Sequence, residues 1–308
     1  MPPVEEVIAS VARFAGRHVE HELLKGGLSH RIHLVRVDGA RYVLRVLNRE
    51  LELALLGIPA EQEIENTVRA ARSGVGAGVH EVLPEFPALV LEFIDGETMA
   101  IDGVRAERNI ARIAAACRTL HEGTPPFVNR FDIFRQLDGF LELCRRHELR
   151  IPDGYEDRLP AVRGIEAALA ERPLPLAPCH NDLLAENFID TPAGVRIVDW
   201  QLSGMNDPAF ELGDIAAESD FEPERADALA AAYFGTAAEP ALLARVRLYL
   251  LMSNFTWTLW FSVHDGMLEG PEVDFDYWAE ASDKWGQALR DLEDPRLGRT
   301  LDLVRRGR

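Results

Sequence analysis

At 308 residues, with 47% hydrophobic and 27% charged side chains, the chain has the make-up of a globular protein large enough for one broad domain or two lobes. Its formal charge of −18 argues against a nucleic-acid partner, because like charges repel; beyond solubility, it is compatible with a cationic small molecule. The N-terminus lacks a basic start and apolar run, no stretch reaches the roughly 18 apolar residues of a membrane span, and three unpaired-looking cysteines (Cys117, Cys144, Cys179) give no disulfide framework. A cytoplasmic location without membrane insertion is expected, and the oligomeric state is left open.

In chain order, Val4, Val7, Ile8, Val11 and Phe14 recur at helical spacing over 4–15. A strand-like segment leads into Gly26-Gly27-Leu28-Ser29-His30. Two β-rich runs, 32–37 and 41–46, then flank Asp38-Gly39, a hairpin signal. Residues 60–73 predict a helix stopped by Gly74. The glycines at 74, 76 and 78 follow that helix rather than a strand, so they read as helix stop and loop, not a dinucleotide turn. Residues 88–94 suit one buried strand, turned by Asp95-Gly96.

Beyond this point the pattern changes. Residues 105–121, 158–171, 224–235 and 240–262 are helical in spacing, and the clear exception is a hairpin over 188–190 and 195–198. The expected organisation is a small antiparallel β-rich lobe (1–95), a connector near 92–97, and a larger, mainly helical lobe (96–308).

The chemistry is concentrated in His180-Asn181-Asp182-Leu183-Leu184-Ala185-Glu186-Asn187 and in Val198-Asp199-Trp200. Phosphoryl transfer needs a carboxylate to orient the attacking hydroxyl and accept its proton, and oxygen ligands to hold Mg²⁺ against the phosphates. Asp182 suits the base. Asn187, five residues on, and Asp199, at a strand end, suit the metal, which prefers few, hard oxygen donors. The spacing matches a kinase catalytic loop. His180 is expected to brace that loop. A zinc site at Cys179-His180 would need a second Cys/His pair, which the sequence does not supply.

These residues resemble the signature of the aminoglycoside-phosphotransferase and choline-kinase superfamily. The longer string Asp199-Trp200 through Gly204-Met205-Asn206-Asp207-Pro208-Ala209-Phe210-Glu211-Leu212-Gly213 is similar to its bacterial choline-kinase-like branch. The resemblance covers almost the whole chain, and it implies an α+β, bilobal, protein-kinase-like fold and an ATP- and Mg²⁺-dependent kinase for a small-molecule alcohol. Carried onto this chain, it implies that Gly27, Leu28, Ser29 and His30 cover the nucleotide. It further implies that Arg45, where many relatives have Lys, grips the phosphates, and that Glu63 (or else Glu65) pairs with it. Glu92 and Ile94 fall at the connector that binds adenine through backbone groups.

Trp257 and Trp260, three apart, share a helix face. Aromatic residues so spaced are usually core, but the resemblance implies that they flank a quaternary ammonium, with Glu218 supplying charge and Tyr277 a further aromatic wall. Gln201-Leu202 departs from the acidic-aromatic pair that relatives often carry. The expected acceptor is a cationic alcohol, choline or a related amino alcohol. An aminoglycoside, thiamine or sugar-like acceptor stays open, as does a nucleotide-binding protein without turnover, which the Lys-to-Arg departure at 45 keeps in view.

Overall fold

In a computed structural model the described residues are 2–24, 30–49, 57–235, 238–267 and 275–307. The chain opens with a short helix, α1 (Val4–Ser10). The predicted 4–15 helix is broken at Val11, whose extended backbone (φ −72°, ψ 111°) separates α1 from a single turn at Ala12–Phe14. The break lets Val7, Val11 and Phe14 all bury against the sheet.

That sheet has five strands: β1 (Val19–Leu23), β2 (Arg31–Val37), β3 (Ala40–Val46), β4 (Val79–Leu83) and β5 (Ala88–Glu92), antiparallel in the order β1-β2-β3-β5-β4. Asp38 and Gly39, both at positive φ, close the β2–β3 hairpin as their pairing predicted. Strand β4 follows the loop read over residues 74–78, in a stretch for which the sequence pattern predicted no element. Alternation along β3 sends Leu44 and Val46 to the face covered by α1 and Val43 and Arg45 to the opposite face. Helix α2 (Ala60–Ser73) ends at Gly74, left-handed at φ 80°, as expected.

A narrow connector follows. At Gly96 a Cβ would sit 2.6 Å from the Asp190 carbonyl oxygen, so only glycine lets β6 (Glu97–Thr98) approach the hairpin of β8 (Phe188–Thr191) and β9 (Gly194–Ile197). The rest is mainly helical: α3 (Ile101–Arg105), α4 (Glu107–Gly123), α5 (Ile133–Arg146), α6 (Leu159–Glu171), α7 (Pro208–Glu218), α8 (Pro223–Phe234), α9 (Pro240–Met267), α10 (Tyr277–Leu292) and α11 (Leu297–Arg306), with a two-stranded β7 (Ala177–Cys179)–β10 (Gly204–Asn206) pair. Helix α9 is apolar around its circumference because α5, α7, α10 and α11 surround it. It crosses α7 at Gly213, where a Cβ would lie 2.7 Å from the Leu250 nitrogen. No helix among the described residues is long and apolar enough to cross a membrane.

The two lobes are tied behind the site. Arg196 of β9 donates to the Gly76 carbonyl at 2.6 Å and to Glu92 at 3.0 Å, and Gly78 N–H donates to the same carboxylate at 2.9 Å. The Glu92 side chain is thus a lobe brace, held ionised by the Gly78 and Arg196 donors against the opposing effect of burial. Ile94 packs with Leu89, Leu91 and Val43 against Ile189 and Val198, an apolar seam between sheet and hairpin.

Candidate active site

Arg45 points from β3 into the cleft between the lobes and is only 5% exposed. Its Nε donates to Glu63 Oε1 at 2.9 Å, and its Nη2 donates to Asp199 Oδ1. Burial would lower the Arg45 pKa, but the two carboxylates outweigh it, so the guanidinium stays charged. Of the two expected helix partners it is Glu63 that meets Arg45; Glu65 pairs with Arg69 instead. His30 completes the cluster. Its Nδ1 accepts the Asn48 N–H at 3.0 Å, which leaves the hydrogen on Nε2 to donate to Glu63 Oε2 at 3.1 Å. Gly27, Leu28 and Ser29, expected to cover the nucleotide, lie outside the described residues.

The catalytic-type loop leaves β7 at Cys179. Glu211, fully buried on α7, accepts the N–H groups of His180 at 2.9 Å and Asn181 at 2.7 Å, and His121 lies 3.3 Å from the same carboxylate. Asn181 sits at φ +69°, a conformation asparagine tolerates, and its side chain bridges Leu202 O and Asn206. These ties start the loop in one fixed geometry. His180 Nε2–H donates to Val198 O at 2.9 Å, and burial holds the imidazole neutral. It braces the loop against the strand end that carries Asp199, with its ring wholly buried beside Trp200. His121, Cys179 and Glu211 lie close together; the Glu211 oxygens serve the loop N–H groups, and His121 is held between Glu211, 3.3 Å from Nε2, and the Tyr233 hydroxyl, 2.7 Å from Nδ1.

Asp182 follows, facing the cleft. Burial, then the charges of Asp214, Asp199, Glu218 and Glu186, push its carboxyl well above the usual range. The Asn187 amide nitrogen donates to Asp182 O at 2.7 Å, which turns Asn187 Oδ1 away from that bond. Asp199, at φ +72°, stays ionised near pKa 2: burial opposes this, and Arg45 overrides it. Asn187 and Asp199 both line the cleft with hard oxygen donors beside a surplus of negative charge, so the residues fit a magnesium ion.

Beyond the loop lies a cavity of about 390 Å³. Asp182, Asn187 and Asp199 line it together with the aromatic residues Trp257, Trp260, Phe261 and Phe275 and with Glu218. Trp257 is 5% exposed, its indole packed near Phe131 and Phe140 and its Nε1–H donated to Asp214 at 2.9 Å. It is both core and wall. Trp260 is half-buried against His264. Tyr277 does not line this cavity among the described residues: it begins α10 and stacks on His264, and Phe275 takes the wall position. Gln201 and Leu202 also face the cavity. Sequence reasoning missed Lys284, whose ammonium lies 2.8 Å from Glu218; one lysine in an amphipathic helix gives no signal of its burial.

A buried arginine bonded to two carboxylates lies beside an aromatic cavity lined by Asp182, Asn187 and Asp199, an arrangement of the kinase-like class. A model described as "Phosphotransferase enzyme family" matches residues 20–249. The crystal structure of a choline/ethanolamine kinase family protein from Mesorhizobium loti is 33% identical, with a TM-score of 0.85 over 99% of this chain and 98% of that one. Choline kinase LicA from Streptococcus pneumoniae shares the fold at 23% identity and TM-score 0.75, covering 94% and 97% of the two chains. Protein LicA of Haemophilus influenzae is 24% identical over 78% of this chain and 72% of its own. The chain belongs to the phosphotransferase enzyme family, within the aminoglycoside-phosphotransferase and choline-kinase superfamily. It is an ATP-dependent phosphotransferase of small molecules, with an alcohol as acceptor.

Proposed function

We propose that this enzyme phosphorylates choline or a closely related amino alcohol in a Mg²⁺-dependent reaction. One observation carries the reading: a single cavity joins Asp182 and the oxygen pair Asn187/Asp199 to two indoles three residues apart, in an acidic surround. Similarity to a choline/ethanolamine kinase family protein supports it. Residues 1–95 would hold the nucleotide and 96–308 would supply the base and the acceptor pocket.

In this reading Arg45, fixed by Glu63, directs its guanidinium at the phosphates. Asp182 accepts a hydrogen bond from the acceptor hydroxyl, orients it for in-line attack and takes its proton as the new O–P bond forms to the γ-phosphorus and the bond from that phosphorus to the β,γ-bridging oxygen breaks, with ADP as the leaving group. Asn187 and Asp199 would hold Mg²⁺, which when bound neutralises charge on the phosphate oxygens. Trp257, Trp260 and Phe275 exclude water and present π faces to the cationic head. ATP consumption across a panel of amino alcohols, aminoglycosides and thiamine tests the assignment: choline or a near relative should give the highest kcat/KM, and a preference for an aminoglycoside or thiamine would overturn it.

A further inference from the structure

The acid expected to face the acceptor's cation is already neutralised from within the protein. Lys284, on α10, is 3% exposed, and its Nζ donates to Glu218 Oε1 at 2.8 Å and to the Ala217 carbonyl at 3.3 Å. Both Lys284 and Glu218 line the acceptor cavity. Burial would lower the lysine pKa, but Glu218, and then Asp214 and Glu280, outweigh it, so the ammonium remains charged. Of the 33 basic residues in the chain, only Lys25 and Lys284 are lysines. A compact ammonium with three rotatable donors reaches two acceptors, a carboxylate and a helix-end carbonyl, whereas an arginine would present a rigid planar fork.

We propose that Lys284 is a specificity-determining residue of the acceptor site: by neutralising Glu218 it leaves recognition of the acceptor's cation to the aromatic walls and keeps the enzyme's preference for charged acceptors moderate. This rests on the amino-alcohol reading above. Coulomb attraction in a partly desolvated site is strong, so an unpaired Glu218 would add directly to selection for a cation, and an unpaired Lys284 would oppose it.

The test is a double-mutant cycle read as the ratio of kcat/KM for choline to that for 3,3-dimethylbutan-1-ol, its uncharged isostere. Lys284→Met, which keeps the stem volume, should raise the ratio roughly ten-fold, and Glu218→Gln should lower it by a similar factor. The double variant restores a neutral wall and should return within about three-fold of the wild-type ratio. If Glu218 instead meets the acceptor directly and Lys284 is only structural, Lys284→Met leaves the ratio unchanged and the double variant matches Glu218→Gln; either result overturns the proposal. Should Lys284→Met fail to fold, Glu218→Gln and the double variant, compared directly, still decide it: equal ratios overturn the proposal. Wild-type enzyme that turns over neither alcohol refutes the amino-alcohol reading itself, which is a separate outcome from a flat cycle on an active enzyme.

Discussion

Trp257 and Asp214 are joined by a buried hydrogen bond, the indole Nε1–H donating to Oδ1 at 2.9 Å. The other Asp214 oxygen accepts the Leu183 N–H at 3.0 Å. One carboxylate therefore ties the loop that carries Asp182 to the helix that walls the acceptor cavity. The two tryptophans of that helix consequently differ: Trp257 has a polar partner and a packing role, and Trp260 does not share that bond.

Trp257→Leu should destabilise the fold by about 1–3 kcal/mol, because Asp214 is left buried with one donor fewer. Trp260→Leu should change stability less, yet lower kcat/KM for a cationic acceptor several-fold with KM for ATP nearly unchanged. Thermal unfolding and steady-state kinetics on the two variants check this. Equal stability losses with no kinetic effect would assign both to the core alone.

Asp182→Asn should lower kcat by roughly 10²–10⁴ while KM for ATP changes little, the usual consequence of removing a general base. Its stability should hold or rise, because the carboxyl is surrounded by Asp214, Asp199 and Glu218. Wild-type turnover in the variant would remove Asp182 from the reaction.

The proposed metal ligands make separate predictions. Asp199→Ala should abolish Mg²⁺-dependent turnover, and Asn187→Ala should raise the Mg²⁺ concentration for half-maximal rate, since a neutral amide contributes less than a carboxylate. A Mg²⁺ titration of initial rate reads both. Unaltered metal dependence in each variant would refute the ligand pair.

His264 offers a pH test of the aromatic wall. It is buried between Trp260 and Tyr277, and burial depresses its pKa to about 4 against the Trp260 carbonyl that Nδ1 faces. The unfolded chain takes up this proton first, so the stability contribution is complete above about pH 6.5 and is lost as pH falls toward 4. Relative to His264→Phe, the wild type should lose about 2–3 kcal/mol between pH 7.5 and 4.5. Parallel pH profiles for the two proteins would show that the ring titrates normally.

Much of this was legible because it is local. The Asp38-Gly39 hairpin and the Gly74 stop are written in adjacent residues, and backbone sterics enforce them; Asp182 and Asn187 lie within one short loop, joined by the Asn187 amide to Asp182 O bond. The preference for Glu63 over Glu65 came from the family resemblance, and the face of α2 that turns toward β3 carries Glu63 to Arg45. What stayed hidden depends on packing between distant segments. Strand β4 is held by β5 and by the Glu92–Gly78 contact, not by its own alternation. Lys284 meets Glu218 only because α10 lies along α9 beside the end of α7. Phe275 rather than the expected Tyr277 walls the cavity; Asp276 caps α10, accepting the Ala279 N–H at 2.9 Å, and so places Tyr277 in the first turn of the helix.

The most direct measurement of the central claim is the wild-type ratio of kcat/KM for choline over 3,3-dimethylbutan-1-ol, with ATP and Mg²⁺ saturating. The two acceptors match in size and differ in charge. Two cation–π contacts at about 1 kcal/mol each predict a preference of roughly thirty-fold for choline. Equal turnover of the two alcohols, or turnover of neither, would contradict the account.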